Sequence, residues 1–194
     1  MQNALLFVFR TLFELYVLTF AVRLLLQWAR VDSRNPIVQF ILRVTNPVVV
    51  PLRKLLPPLG RIDTATAVAL VGLQLLGTAV LIRIGCVGEP GALQILLLTL
   101  LGIANLALRI YFWAILIYVI LSWVSPGGYN PGAALVAALA EPVLAPFRRL
   151  IPLIGGLDLS PVLALVALQA ITLLLPTEQV LGGMLCTGIV AAAF

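Results

Sequence analysis

Apolar residues fill four long stretches of this chain, and polar residues gather in the segments between them. A hydrocarbon core about 30 Å thick takes about 20 helical residues. The stretches at about 5–28, 65–84, 93–123 and 161–175 are therefore expected as membrane-spanning helices. The first carries Arg10, Glu14 and Arg23, which an outward, lipid-facing position would not accept. It lacks a basic start and an A-x-A site, so a retained span is expected rather than a cleaved leader. The third is longer than a span needs and is expected to tilt or to begin as an interfacial segment. Pro176-Thr177-Glu178 interrupts the fourth, and the apolar tail 180–194 is expected to lie at the interface or half inserted.

The pattern repeats. An offset of 95 residues carries Trp28 onto Trp123, Asn35-Pro36 onto Asn130-Pro131, and Pro47 and Pro51 onto Pro142 and Pro146. The same offset carries Arg53 onto Arg148, Lys54 onto Arg149, Asp63 onto Asp158 and Gln74 onto Gln169. Each copy holds two spans, an even number, so both copies enter the membrane in the same direction. They are then related by an axis along the membrane normal, which disfavours an inverted-repeat transporter. The expected organisation is a first repeat at 1–92, a second at 93–179 and a tail at 180–194.

The long loop between the spans of each copy carries the polar motifs. Trp28 and Trp123 sit where amphipathic rings belong, at the membrane–water boundary. Asn35-Pro36 and Asn130-Pro131 pair a capping side chain with proline at the first helical position, a helix start. Ile37, Phe40, Ile41 and Val44 recur at helical spacing, predicting a short amphipathic helix in the interface. Pro47 and Pro51 are expected to prevent that helix from continuing. Arg53-Lys54 and Arg148-Arg149 suit either a grip on anionic headgroups or topology setting, with a local salt bridge to Asp63 or Asp158. Both aspartates are expected to cap the following span, with Ser160-Pro161 as cap and first turn in the second copy.

Composition sharpens this picture. The chain of 194 residues is 62% hydrophobic and 10% charged, with a net charge of +5; its mean hydropathy is +1.17. Soluble domains hold about 25% charged residues. Basic residues concentrate in the two long loops, which the positive-inside tendency places in the cytoplasm with both termini outside. No basic stripe is interleaved with aromatics, so no nucleic-acid partner is expected. The chain has no His, and no nucleophile–base pair is visible, so no catalytic residue is assigned. Cys86 and Cys186 match no metal or redox spacing and are read as small apolar fillers. No metal or cofactor is expected.

Polar residues inside the spans form a second candidate set: Glu14, Arg109, Gln74 and Gln169. Glu14 lies 14 residues before Trp28, about 21 Å along a helix. Its counterpart in the second copy is Arg109, so the two positions suit pairing across the repeats, with Arg10 as the alternative partner four residues away. Ionisable groups at that depth are functional candidates, although Gln and Asn105 also serve as hydrogen-bonding glue between helices.

The doubled pattern W-x6-N-P … P-x3-P-x-R-[KR]-x2-P-x2-G-x2-D resembles the YggT family of small membrane proteins. It covers roughly residues 24–73 and 119–168, with Glu141 replacing Asn46 and Leu153 replacing Pro58 in the second copy. The resemblance implies a multi-pass protein of the bacterial plasma membrane, linked to osmotic-stress tolerance and to neighbours of cell-division genes. Plastid relatives are linked to haem attachment on a b-type cytochrome and to nucleoid organisation. The expected function is a non-enzymatic scaffold or assembly factor that meets the lipid bilayer, anionic lipids and a membrane-protein partner through its loops. A homo-oligomer is compatible with this. The rival is an ion or solute channel or transporter, for potassium or an osmolyte, built on the intramembrane polar set.

Overall fold

The computed structural model describes residues 2–57, 63–87, 90–124, 130–150, 158–177, 180 and 185–186. They form six helices, α1 (Gln2–Trp28), α2 (Pro36–Arg53), α3 (Thr64–Gly85), α4 (Ala92–Val124), α5 (Pro131–Leu150) and α6 (Ser160–Leu174). A pair of two-residue strands, β1 (Cys86–Val87) and β2 (Leu185–Cys186), completes the described architecture. Two helices are long and apolar enough to cross a membrane, Thr64–Ile84 and Ala92–Val124; Ser160–Leu174 is a shorter apolar helix. The outer faces of α3, α4 and α6 are covered with exposed Leu, Ile, Val and Trp side chains. Apolar surface that extensive belongs in a bilayer rather than in water.

Three cores hold the helices. Val17, Phe20, Ala65, Ala69 and Leu70 join α1 to α3, with Val49 of α2 and Ile110 of α4 packed in. Ile115, Ala140, Leu144, Ala164 and Leu168 make an equivalent core from α4, α5 and α6. The third core joins the halves, setting Leu26, Val38 and Ile41 against Ala114, Leu135 and Leu139. Asn35 reinforces this joint: its amide nitrogen donates to the Pro131 carbonyl at 2.7 Å. Small residues let α1 and α3 approach closely. A Cβ at Gly77 would collide with the Phe13 ring. Gly77→Ala is therefore expected to cost about 1–3 kcal/mol by overpacking, read as a lower unfolding midpoint in detergent.

The helix starts at Asn35 and Asn130 are present. The Ile37 N–H donates to Asn35 Oδ1 at 2.9 Å, and the Gly132 N–H donates to Asn130 Oδ1 at 2.8 Å. The expected interruption of α2 is corrected: the helix runs unbroken through Pro47 and Pro51 to Arg53. Each proline removes one N–H, which orphans the carbonyls of Arg43 and Pro47. Arg43, Pro47 and Pro51 all lie on the exposed side of α2, where a polar medium can satisfy those carbonyls. The helix also has a face set against the protein. Val38, Ile41, Thr45 and Val49 are buried, whereas Ile37 and Phe40 point outward.

The tail 180–194 lies mostly outside the described residues. Its described parts are held beside the ends of α3 and α4. The Gln94 amide donates to the Val180 carbonyl at 2.7 Å, and β2 pairs antiparallel with β1, with Cys86 opposite Cys186. Cys86 is disulfide-bonded, and the chain holds two cysteines. The filler reading of the cysteines is thereby corrected. No metal or redox spacing exists in the sequence because the partners are 100 residues apart, by 186 − 86, and meet only through the fold.

Candidate functional site

The residues that share the 95-residue offset build one ion-pair clamp in each half. In the first, Arg53 ends α2 and Asp63 precedes α3, so the pair ties the interhelical loop at its two ends. Arg53 Nε donates to Asp63 Oδ1 at 3.2 Å, and Arg53 Nη2 donates to Oδ2 at 2.5 Å. This two-point geometry is the strong form of an arginine–carboxylate contact. The Thr66 hydroxyl donates to Oδ2 at 2.7 Å, and Gln27 Nε2 reaches it at 3.5 Å. Arg23 adds a second guanidinium, with Nη2 3.7 Å from Oδ2.

Arg23 comes from within α1, yet its side chain is only 2% exposed. Its Nη1 donates to Thr45 Oγ1 at 2.5 Å and to Asn46 Oδ1 at 2.9 Å. Thr45 in turn donates to the Ile41 carbonyl at 2.7 Å, which fixes its hydroxyl. The charge that lipid would not accept is thus turned inward onto α2 and the start of α3.

In the second half, Arg148 Nε donates to Asp158 Oδ2 at 3.1 Å. Two further residues complete this clamp: Arg148 Nη1 donates to Glu141 Oε2 at 2.8 Å, and Arg148 Nη2 to the Tyr118 hydroxyl at 3.1 Å. The replacement of Asn46 by Glu141, unremarkable in the sequence, is thus part of an ion-pair network.

The capping roles expected of the aspartates are partly corrected. Asp63 occupies the cap position but makes no side-chain cap hydrogen bond, because both its oxygens face Arg53 and Thr66. Asp158 accepts the Ser160 N–H at 2.9 Å. Leu159 takes the cap position there, so Ser160 lies inside the helix.

Burial by itself would raise the Asp63 pKa. The hydrogen bonds from Arg53 and Thr66, the Arg53 charge and the Gln27 contact outweigh it, and they hold the carboxyl at about 2. A depressed carboxylate pKa contributes stability that is present above the unfolded value and lost as pH falls through the folded one. The contribution, about 2 kcal/mol at 1.36 kcal/mol per unit, is therefore expected to disappear between about pH 4 and pH 2. Acid unfolding of the wild type alongside Asp63→Asn checks this: the variant lacks that component of the pH dependence. For Asp158 the Ser160 hydrogen bond and then Arg148 lower the pKa. Burial would lower that of Arg148, but Tyr118, Asp158 and Glu141 prevail and raise it.

Lys54 and Arg149 are exposed beside the clamps. Trp28 and Trp123 are also exposed, at 55% and 78%, as membrane-boundary rings would be.

The intramembrane polar set is brought together only in part. Glu14, Gln74 and Arg109 line one cavity of about 80 Å³ between α1, α3 and α4, together with Thr78 and Asn105. Gln169 is exposed on α6 and does not join them. Pairing of Glu14 with Arg109 is not observed. Glu14 instead accepts from Arg10 Nε at 2.6 Å, one helical turn away. Among the described residues, no group of three or more His, Cys, Asp or Glu gathers as a metal site would.

Sequence reasoning missed Gln27, Thr45, Asn46 and Thr66 around the first clamp and Tyr118 around the second. A usable signal was present. The repeats match at Arg53/Arg148 and Asp63/Asp158 and depart at Arg23/Tyr118 and Asn46/Glu141, and these four pairs turn out to be neighbours in space.

A family model described as CCB3/YggT matches residues 2–84 and 97–178. An uncharacterized protein of Pseudomonas aeruginosa is 42% identical over 175 residues, covering 90% of this chain and 89% of that protein. The uncharacterized protein YggT of Escherichia coli K12 is 34% identical over 195 residues, covering 97% and 98%. A chloroplastic YlmG homolog protein 2 of Arabidopsis thaliana is 39% identical over 74 residues, covering 37% of this chain and 28% of that protein. No solved structure matches. With the family match spread over both halves, each containing one arginine–aspartate clamp, the chain belongs to the CCB3/YggT family.

Proposed function

We propose that this chain is a non-enzymatic multi-pass protein of the bacterial inner membrane, with four spans in two parallel repeats. It acts as a scaffold or assembly factor in osmotic-stress tolerance or envelope homeostasis. Its long loops face the cytoplasm, where α2 and α5 lie in the interface and engage anionic lipid or a membrane-protein partner.

The observation that carries this reading is the pair of clamps, Arg53–Asp63 and Arg148–Asp158, each ending a helix that lies beside the spans. A clamp of this kind fixes the end of one helix against the start of the next, as a docking platform requires. Along α2 and its C-cap, exposed Ile37 and Phe40 accompany exposed Arg43 and Lys54, the mixture that suits an anionic membrane surface. The disulfide of Cys86 supports placing the opposite face outside the cytoplasm, since disulfides persist in oxidising compartments.

Growth under hyperosmotic stress tests the reading. A deletion strain carrying Lys54→Ala with Arg149→Ala is expected to grow poorly although the variant reaches the membrane in normal amount. These residues lie outside the ion pairs of the clamps, so the fold is spared. Growth equal to the wild type would remove the loops from the function.

The cavity at Glu14, Gln74 and Arg109 favours the second reading, a channel or transporter. A cavity of about 80 Å³ holds a few waters and is far from a continuous path. Purified protein in liposomes is expected to pass no potassium above empty vesicles. Flux that Glu14→Gln abolishes would replace the scaffold with a channel.

A further inference from the structure

The first clamp stands beside a cavity of about 360 Å³, within the about 300–1,000 Å³ typical of small-ligand sites. Arg23 and Gln27 line it, and the buried Arg23 Nε donor has no hydrogen-bond partner among the described residues. A buried donor left unmade costs about 1–3 kcal/mol, and more on a charged group. Arg53 and Asn46 complete the polar wall, while Leu26, Val38 and Ile41 supply an apolar one.

The two clamps differ in charge. In the first, Arg23 and Arg53 give +2 against −1 from Asp63, a net +1. In the second, Arg148 gives +1 against −2 from Glu141 and Asp158, a net −1. The 95-residue offset turns Arg23, Gln27, Thr45 and Asn46 into Tyr118, Ser122, Ala140 and Glu141. The second clamp thus carries its own extra carboxylate on its arginine, whereas the first has neutral Asn46 at that position and an extra cation, Arg23, where the second has Tyr118. Asp32, between lining residues Val31 and Ser33, is exposed and accepts the Arg34 N–H at 2.9 Å.

We propose that the cavity beside Arg23 and Arg53 binds one anionic phosphate group, supplied by the headgroup of an acidic phospholipid. This rests on the reading that the loop face meets the bilayer. Guanidinium groups match phosphate oxygens in geometry and charge. Arg23 lies five residues before Trp28, about 7.5 Å of helix inside that boundary ring, so the cavity lies just beneath the headgroups, within reach of a phosphate at the membrane boundary. The apolar wall suits a lipid over a free ion.

The test uses the full chain in phosphatidylcholine nanodiscs doped with phosphatidylglycerol, counting retained lipid by native mass spectrometry. One phosphatidylglycerol per chain is expected. Arg23→Gln is expected to cut retention at least about tenfold, the effect of losing one charged contact. Asn46→Glu is expected to do the same while keeping the unfolding temperature in pure phosphatidylcholine, because the new carboxylate pairs with Arg23 as Glu141 pairs with Arg148. Should Arg23→Gln fail to fold, Asn46→Glu decides alone, since it adds a partner. Wild-type retention in Asn46→Glu would overturn the site. Stabilisation by inorganic phosphate in pure phosphatidylcholine, with no phosphatidylglycerol retained from the doped nanodiscs, would overturn the lipid as its source. Failure here and failure of the scaffold reading are separable, since the latter is read on Lys54 and Arg149.

Discussion

Asp63→Ala is expected to destabilise the chain by about 3–5 kcal/mol, the largest effect of any single change considered for the clamps. Asp63 is 6% exposed and stands between two guanidinium groups, Arg53 at 2.5 Å and Arg23 at 3.7 Å. Removing one partner of a buried pair leaves an uncompensated charge, and that residue of charge sets the cost. Here the stranded group is Arg23, which is itself buried and faces Thr45 and Asn46 rather than water. Arg53→Ala is expected to cost less, because its side chain is 47% exposed and Arg23 remains to neutralise Asp63. The equivalent change in the second half, Asp158→Ala, is also expected to cost less: Glu141 stays on Arg148, and both acids are partly exposed. Unfolding of the three variants in mild detergent with increasing dodecyl sulfate gives the order. A loss for Asp63→Ala no larger than for Asp158→Ala would mean that Arg23 is not the buried charge that the structure shows.

Cys86→Ser is expected to cost about 2–4 kcal/mol, and dithiothreitol acting on the wild type is expected to cost the same. The cross-link closes a loop of 186 − 86 = 100 residues, for which chain entropy sets a ceiling of about 4.7 kcal/mol. The ceiling is not reached, because helices that stay inserted in the bilayer restrict the unfolded chain even without the cross-link. The reduced protein is expected to release the tail first. The Gln94 contact to Val180 and the short β1–β2 pairing also hold its described part, and neither is covalent. Faster proteolysis of the tail after reduction, with the rest of the chain protected, is the expected pattern. An unfolding midpoint unmoved by dithiothreitol would show that the bond contributes nothing.

The sequence by itself determined the helical segments. Their positions follow from the length of apolar runs and from the Asn-Pro starts at Asn35 and Asn130, which are local signals that each segment carries alone. The duplication was equally legible, since Trp, Pro, Arg and Asp recur at one offset, and so was the family. The pairing of Arg53 with Asp63 was available as one of two readings, because an acid and a base ten residues apart are near enough in sequence to meet when the chain turns between two helices.

Tertiary structure decided what depends on which faces meet. The prolines of α2 looked like breaks, since each removes a hydrogen bond; the helix survives because both open toward the exposed side and the opposite stripe is held by packing. Glu14 was equally able to pair with Arg109 across the repeats or with Arg10 on its own helix; in the fold it faces the same cavity as Arg109 yet pairs with Arg10, one turn away. Cys86 and Cys186 carry no local signal of partnership, and only the return of the tail to the end of α3 brings their strands into register. Arg23 is the clearest case. Hydropathy marks it as a charge in the wrong solvent, but its partners Thr45, Asn46 and Asp63 lie 22, 23 and 40 residues away. A buried charge is made tolerable by groups that the fold, and not the neighbouring sequence, delivers to it.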